Sequence, residues 1–173
     1  MGAIGAGMYH PGKLTRLVEE SDVDVGMLSG RCTLLDHSAL DSLLPACADR
    51  GVSVLAAPIF NSGPLATARP SASATFDFAP TTPQTLERAH RRAQRIADVC
   101  EAHGVTLPAV AMAFPLHHHV VAGIVVGMRT GDEVRRDVAA FGVDIPARLW
   151  DDLRGEGLLD ERAPAPTSRS GSV

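Results

Sequence analysis

The 173 residues are 45% hydrophobic and 21% charged, with a formal net charge of −4. That balance describes one ordinary globular domain with a core of its own, and it argues against nucleic acid or an anionic membrane surface as partner. Cys32, Cys47 and Cys100 are odd in number and far apart, which argues against a disulfide framework or a CxxC metal site and fits a reducing cytoplasm. No basic-then-apolar leader and no apolar run of about 18 residues is present, so no membrane span is expected.

Taken in order, Gly2 to Met8 reads as a short strand ending in a tight turn. Its glycines do not form a GxGxxG fingerprint. Leu14, Leu17 and Val18 have helical spacing up to Ser21, and Val23 to Leu28 forms the next strand. Asp36 or Ser38 can cap a helix with Leu40, Leu43, Leu44 and Cys47 on one face. Pro45 should kink that helix or trim its start, and Arg50-Gly51 end it. Val52 to Ala57 is a strand of the buried type. The loop Pro58 to Pro80 is long enough to be functional or poorly ordered. Thr82-Pro83 open the longest helix, whose apolar stripe is Leu86, Ala89, Ala93, Ile96, Ala97 and Cys100. Arg88, Arg91, Arg92 and Arg95 lie outside that stripe and read as a solvated face. Gly104 ends the helix, a short apolar helix runs from Leu107 to Phe114, and Ile145-Pro146 begin a last amphipathic run to Leu159.

Between these helices lies the stretch with the clearest chemistry, Val120 to Asp137. Val120 to Val126 is a branched apolar run that suits a strand buried on both faces. Gly127 then frees the backbone, Thr130 is a good N-cap, and Asp132 and Glu133 sit at the positive end of a helix dipole. Strand, Gly-Met-Arg and helix gather free N–H groups and the Arg129 guanidinium at one helix N-terminus, a common way to hold phosphate. Strand and helix alternate four times, which makes a parallel sheet. A doubly wound open sheet and part of a (β/α)8 barrel both fit that pattern.

Four blocks, AIGAGM (3–8), DVDVGMLSGRCTLLDHSALDSLLPACADRGVSVLAAPIFNSGPLA (22–66), FPLHHHVVAGIVVGMRTGDEV (114–134) and IPARLWDDLRGEGLL (145–159), together resemble the C-terminal half of the aldo/keto reductase superfamily. SGRCTLLD and FNSGPLA are the specific ones, and they are similar to its bacterial aldose 1-dehydrogenase branch (L-fucose or D-threo-aldose dehydrogenase type). The resemblance implies an α/β fold in which residues 1–160 supply strands five to eight of a (β/α)8 TIM barrel. The N-terminal half is missing, and 161–173 are expected to form a disordered tail. It also implies an NAD(P)-dependent oxidoreductase of the cytoplasm that oxidises an aldose to a lactone or acts on an aldehyde. The alternative is a non-catalytic half-barrel that binds nucleotide weakly or assembles with a partner, self-association through open sheet edges included.

In the family a tetrad of Asp, Tyr, Lys and His carries the proton transfer, with Lys lowering the Tyr pKa. Tyr9 is the only tyrosine here and Lys13 the only lysine, and neither matches a tetrad position, so no catalytic residue is assigned. The half that is present is the family's cofactor half, and NAD or NADP is implied. By resemblance, Gly7 and Met8 stand where many members have Ser-Asn at the nicotinamide carboxamide. Phe60, Asn61, Ser62, Gly63 and Leu65 match the loop along the pyrophosphate. Gly127, Arg129, Thr130 and Glu133 match the turn at the adenosine end, which many members close with Glu-Asn where this chain has Arg136-Asp137. His117, His118 and His119 are consecutive and cannot easily converge on one ion, so no metal site is assigned.

Overall fold

Helix boundaries follow from local chemistry. Thr82 accepts the Thr85 N–H at the start of the longest helix, with Pro83 at its first position. Gly51 and Gly104 take the left-handed conformation (φ +68° and +70°) that ends the two helices before them. The computed structural model describes residues 2–71, 82–164 and 166. Its elements are β1 (Gly5–Met8), α1 (Pro11–Glu20), β2 (Val25–Ser29), a 3-10 turn (Ser38–Leu40), α2 (Leu43–Arg50), β3 (Ser53–Ala57), α3 (Pro83–Ala102), α4 (Leu107–Leu116), β4 (Val121–Ile124), α5 (Gly131–Phe141) and α6 (Ala147–Gly155). The expected α2 splits: residues 38–40 form a separate 3-10 turn and Ser42 becomes the N-cap. Pro45 thereby falls in the first turn of α2, where no intrahelical N–H is required.

The four strands pair in parallel in the order β1-β2-β3-β4. An order without reversal is that of a singly wound sheet, whereas a doubly wound sheet reverses at a switch point. Crossovers of one hand then put the helices on one face, and burial agrees. Leu28, Val54 and Ala56 are almost wholly buried, and a Cβ on Gly26 would meet Leu14 of α1 at 3.3 Å. Leu14, Leu44, Cys47, Ile96, Val110, Phe114, Leu149 and Trp150 complete this core. Each fully buried Leu or Ile in it contributes about 1.5–3 kcal/mol.

The alternate residues face the other way and, among the described residues, lack a cover. Met27 is 43% exposed and Val125 42%. Val54 pairs with Gly26 and so shares the helix side. The run 120–126 also differs from a strand buried on both faces. Only Val121–Ile124 is strand, and Ala122 is exposed. A sheet edge with one covered face explains both observations.

Two further expectations are corrected. Arg92 and Arg95 are not simply solvated. Arg92 Nη2 donates to Leu158 O at 2.7 Å, and Arg95 Nη2 donates to Glu156 O at 3.1 Å. The packed chain also runs past residue 160. Ala163 is buried, Arg154 donates to its carbonyl, and Arg162 pairs with Asp160 and Asp41. The rest of the expected tail, apart from residues 164 and 166, and residues 72–81 of the long loop lie outside the described residues.

His37 sits under this C-terminal strap. Its Nδ1 accepts the Asp160 N–H at 3.3 Å and its ring lies 5.3 Å from that of Phe114. Burial, reinforced by Arg92, pushes its pKa down to about 4 against the pull of Asp160 and Asp36. The unfolded chain takes up this proton near pH 6.5 and the folded chain near pH 4. Stability is therefore complete above about pH 6.5 and lost as pH falls toward 4. Burial lowers His117 and His118 as well, with the same sign. Urea midpoints are expected to fall between pH 7 and pH 4.5, and His37→Gln to flatten part of that fall. An unchanged slope in the variant counts against His37 as a source.

Candidate functional site

The loop after β3 turns sharply. Asn61 (φ +49°), Ser62 (φ +64°) and Gly63 (φ +140°) occupy positive φ in succession. Two non-glycine residues there store strain of the kind that concentrates at ligand-binding loops. Asn61 stabilises the turn from inside. It is fully buried, and its Nδ2 donates to Gly30 O at 3.0 Å, while Gly30 N–H donates to Ala57 O at 2.9 Å. The loops after β2 and β3 are thus fastened together. Further on, Arg69 pairs with Asp98 and Glu101 of α3.

The turn after β4 is built as its sequence suggests. Val125 N–H continues the ladder to Ala56 O, and the chain then leaves the sheet through Val126 and Gly127. Thr130 Oγ1 accepts the Glu133 N–H at 3.2 Å, and Glu133 Oε2 reaches back to the Arg129 N–H at 2.6 Å. This is a capping box shifted one residue outward. The Arg129 N–H, followed by the Arg129 charge and the Thr130 N–H, holds the Glu133 carboxyl below the usual carboxylate range. The Arg129 side chain itself is 90% exposed.

These two segments meet in a cleft of about 300 Å³ beyond the C-terminal ends of β3 and β4. Phe60, Ser62 and Gly63 line one wall, and Gly127, Arg129 and Glu133 the other. Thr130 supports the second wall as the α5 cap. Asn61 and Leu65 do not reach the cleft. Asn61 spends its amide N–H on Gly30, and Leu65 is a fully buried core residue. Gly7 and Met8 close β1, two strands away from β3, and do not line it. Arg136 and Asp137 do line it, although the sequence reading treated them only as a departure from Glu-Asn. Their positions three and four residues after Glu133 put them on its face of α5, a signal that was available. Asp137 is 4% exposed and accepts from Arg136 Nε at 3.1 Å. The cleft therefore carries two guanidinium and two carboxylate groups at the first turns of a helix, a donor set suited to a phosphate and a neighbouring hydroxyl.

The histidine run is committed elsewhere. His117 packs edge-on against Trp150 at 4.9 Å, and His118 stacks on His119 at 4.8 Å. Among the described residues no group of three His, Cys, Asp or Glu side chains is placed to hold a metal.

Residues 1–155 match the model of the aldo/keto reductase family. The chain belongs to that family. It is 38% identical over 157 residues to a D-threo-aldose 1-dehydrogenase of Pseudomonas sp, which covers 91% of this chain and 46% of that protein. It is 37% identical over 142 residues to a pyridoxal 4-dehydrogenase of Microbacterium luteolum, which covers 82% and 40%. These relatives support the aldose dehydrogenase branch of the aldo/keto reductases. An aldo-keto reductase from Bacillus halodurans in its holo form superposes with a TM-score of 0.64 at 17% identity, over 96% of this chain and 51% of that one. The chain spans about half the length of the aldo/keto reductases it matches. Its singly wound parallel sheet agrees with that fold.

Asn61→Ala is expected to cost about 1–3 kcal/mol, since it leaves a buried carbonyl unpaired and forces a left-handed alanine. Urea unfolding at pH 7 measures this, and a midpoint equal to that of the parent would rule out the Gly30 tie as a support of the loop.

Proposed function

We propose that this chain is the cofactor-binding half of an NAD(P)-dependent oxidoreductase of the aldo/keto reductase type. Its four strands would be the fifth to eighth of a (β/α)8 barrel, with aldoses or aldehydes as substrates of the whole enzyme. The observation that carries this reading is the cleft between the post-β3 loop and the first turns of α5, opening beyond the strands' C-terminal ends. That end is where barrel enzymes of this kind build their sites. The names of the two dehydrogenase relatives support the reaction class.

Within this reading, each residue has a task of its own. Arg129 and Arg136 hold phosphate by charge-assisted hydrogen bonds, and Gly127 lets the backbone approach. Phe60, Ser62 and Gly63 line the opposite wall, and Asp137 would accept from a sugar hydroxyl. When bound, NAD(P) supplies hydride transfer. At about 300 Å³ the cleft would take only one end of a dinucleotide. Proton transfer would fall to the other half of the barrel, because Tyr9 is an exposed loop residue whose ring is tilted against His10 at 4.0 Å. A cytoplasmic location suits Cys32, Cys47 and Cys100, all free and buried, with thiol pKa values pushed up to about 12, 11 and 12 chiefly by burial.

A second reading, a non-catalytic half that binds nucleotide weakly and assembles with a partner, is favoured by one observation. Among the described residues the face carrying Met27 and Val125 has no cover, and β1 and β4 each have an unpaired edge. The two readings share their first test. Alone, the chain is expected to self-associate on size-exclusion chromatography and to show no turnover of L-fucose, D-arabinose or aromatic aldehydes. Co-refolding with the N-terminal half of a relative should restore a discrete species. Dinucleotide-dependent turnover in that species supports the enzyme, and its absence supports the second reading. A clean monomer with a sharp unfolding transition contradicts the half-barrel itself.

Arg129→Ala in that restored species is expected to weaken NAD(P) binding roughly tenfold or more. The comparison is Arg16→Ala, because among the described residues Arg16 makes only an exposed pair with Glu20. Equal titration curves would reduce Arg129 to a surface charge.

A further inference from the structure

A second cleft lies away from the one just described. Arg88, Arg91, Arg92 and Arg95 follow one another on α3 at the spacing i, i+3, i+4, i+7, and so share one helix face. All four line a groove of about 520 Å³, closed by Leu35 and Leu158. Like charges at this spacing destabilise a helix unless something offsets them. Two are offset: Glu87 pairs with Arg91 at 2.9 Å and Glu156 with Arg95 at 3.2 Å. Asp36, also in the lining, is already held by Arg31 at 2.7 Å.

Arg88 has no hydrogen bond or ion pair among the described residues. Arg92 reaches a backbone carbonyl, Leu158 O, and its buried Nε has no partner. Burial and the charge of Arg95 hold the Arg92 pKa below the usual guanidinium value. Arg88 is exposed and, among the described residues, without a partner, and Arg92 is half-buried with the charge of Asp36 acting on it, so the groove keeps an excess of positive charge beside an apolar wall in a chain of net charge −4. Partial burial of the Arg92 guanidinium with its Nε unpartnered carries a cost that an added anion would offset.

We propose that this groove binds a phosphorylated small molecule of about nucleotide size, its phosphate held by Arg88 and Arg92 and its apolar body against Leu35 and Leu158. The volume falls in the range of small-molecule sites. The groove shares no residue with the cleft between β3 and α5, and it lies on the helix side of the sheet, so it does not depend on whether the barrel is complete.

The test is calorimetric titration of the whole chain with inorganic pyrophosphate and with ADP at constant ionic strength. Both should bind, ADP the more tightly. Arg88→Gln should weaken each about tenfold, the usual effect of losing one charge-assisted hydrogen bond, with circular dichroism and thermal unfolding unchanged. Arg16→Gln should have no effect. Three results would overturn the proposal. One is no binding at roughly millimolar pyrophosphate. Another is equal weakening by Arg16→Gln, which marks diffuse attraction. The last is loss of all binding in Arg129→Ala with none lost in Arg88→Gln, which puts the anion in the other cleft.

Discussion

Parallel strands bury both faces or leave apolar surface without a cover, because their crossovers place helices on the faces and not at the edges. Here four strands share one layer of helices. Leu28, Val54 and Ala56 are sealed against it, and Met27 and Val125 on the reverse are not. The remaining features of the sheet follow from this asymmetry. The branched run of β4 ends early, Ala122 is exposed, and close contact between β1 and β2 occurs on the open side. There a Cβ on Gly5 would sit 2.5 Å from Val25 Cγ1 and 2.7 Å from Val25 O. That approach allows no side chain at Gly5, so the edge strand is thin as well as unpaired.

Much of this was legible in the sequence because the signals were local. Thr82-Pro83, Gly51, Gly104 and the Thr130/Glu133 pair mark boundaries through capping chemistry that acts within one turn. What escaped depends on contacts between distant residues. No periodicity assigns Val54 to the helix side, since a buried-type strand is apolar on both faces and only its pairing with Gly26 decides. Asn61 looked like a ligand donor because its type and its loop were right. Its amide is engaged with Gly30, thirty-one residues earlier, and that link becomes visible only in three dimensions. Arg92 and Arg95 looked solvated because the helix wheel puts them outside the apolar stripe, whereas the chain after α6 folds back to meet them. The resemblance supplied the family and the loops, but it could not say which residues in each loop face the cleft.

The cleft and the groove use arginine differently. In the cleft, Arg129 and Arg136 stand among carboxylates at the start of α5, where the helix dipole contributes and Asp137 is almost fully buried. The groove is built on the side of a helix, where no dipole helps and the charges accumulate by spacing alone. Arginine is abundant along the whole chain (fifteen against one lysine), but abundance alone does not account for the shared face of α3.

The reach of Glu133 back to the Arg129 N–H means that the resting cleft already contains an anion, tethered by its own side chain. At the proposed site an incoming phosphate would have to displace that carboxylate from the N–H. A tethered group acts at an effective concentration set by its short linker and not by the solution. A weakly held monoanion such as chloride would compete poorly for that N–H, whereas a phosphate that also reached Arg129 and Arg136, as proposed above, could take the place. Glu133 is in this sense a built-in competitor, and the length of one glutamate side chain fixes how strong an anion must be to enter.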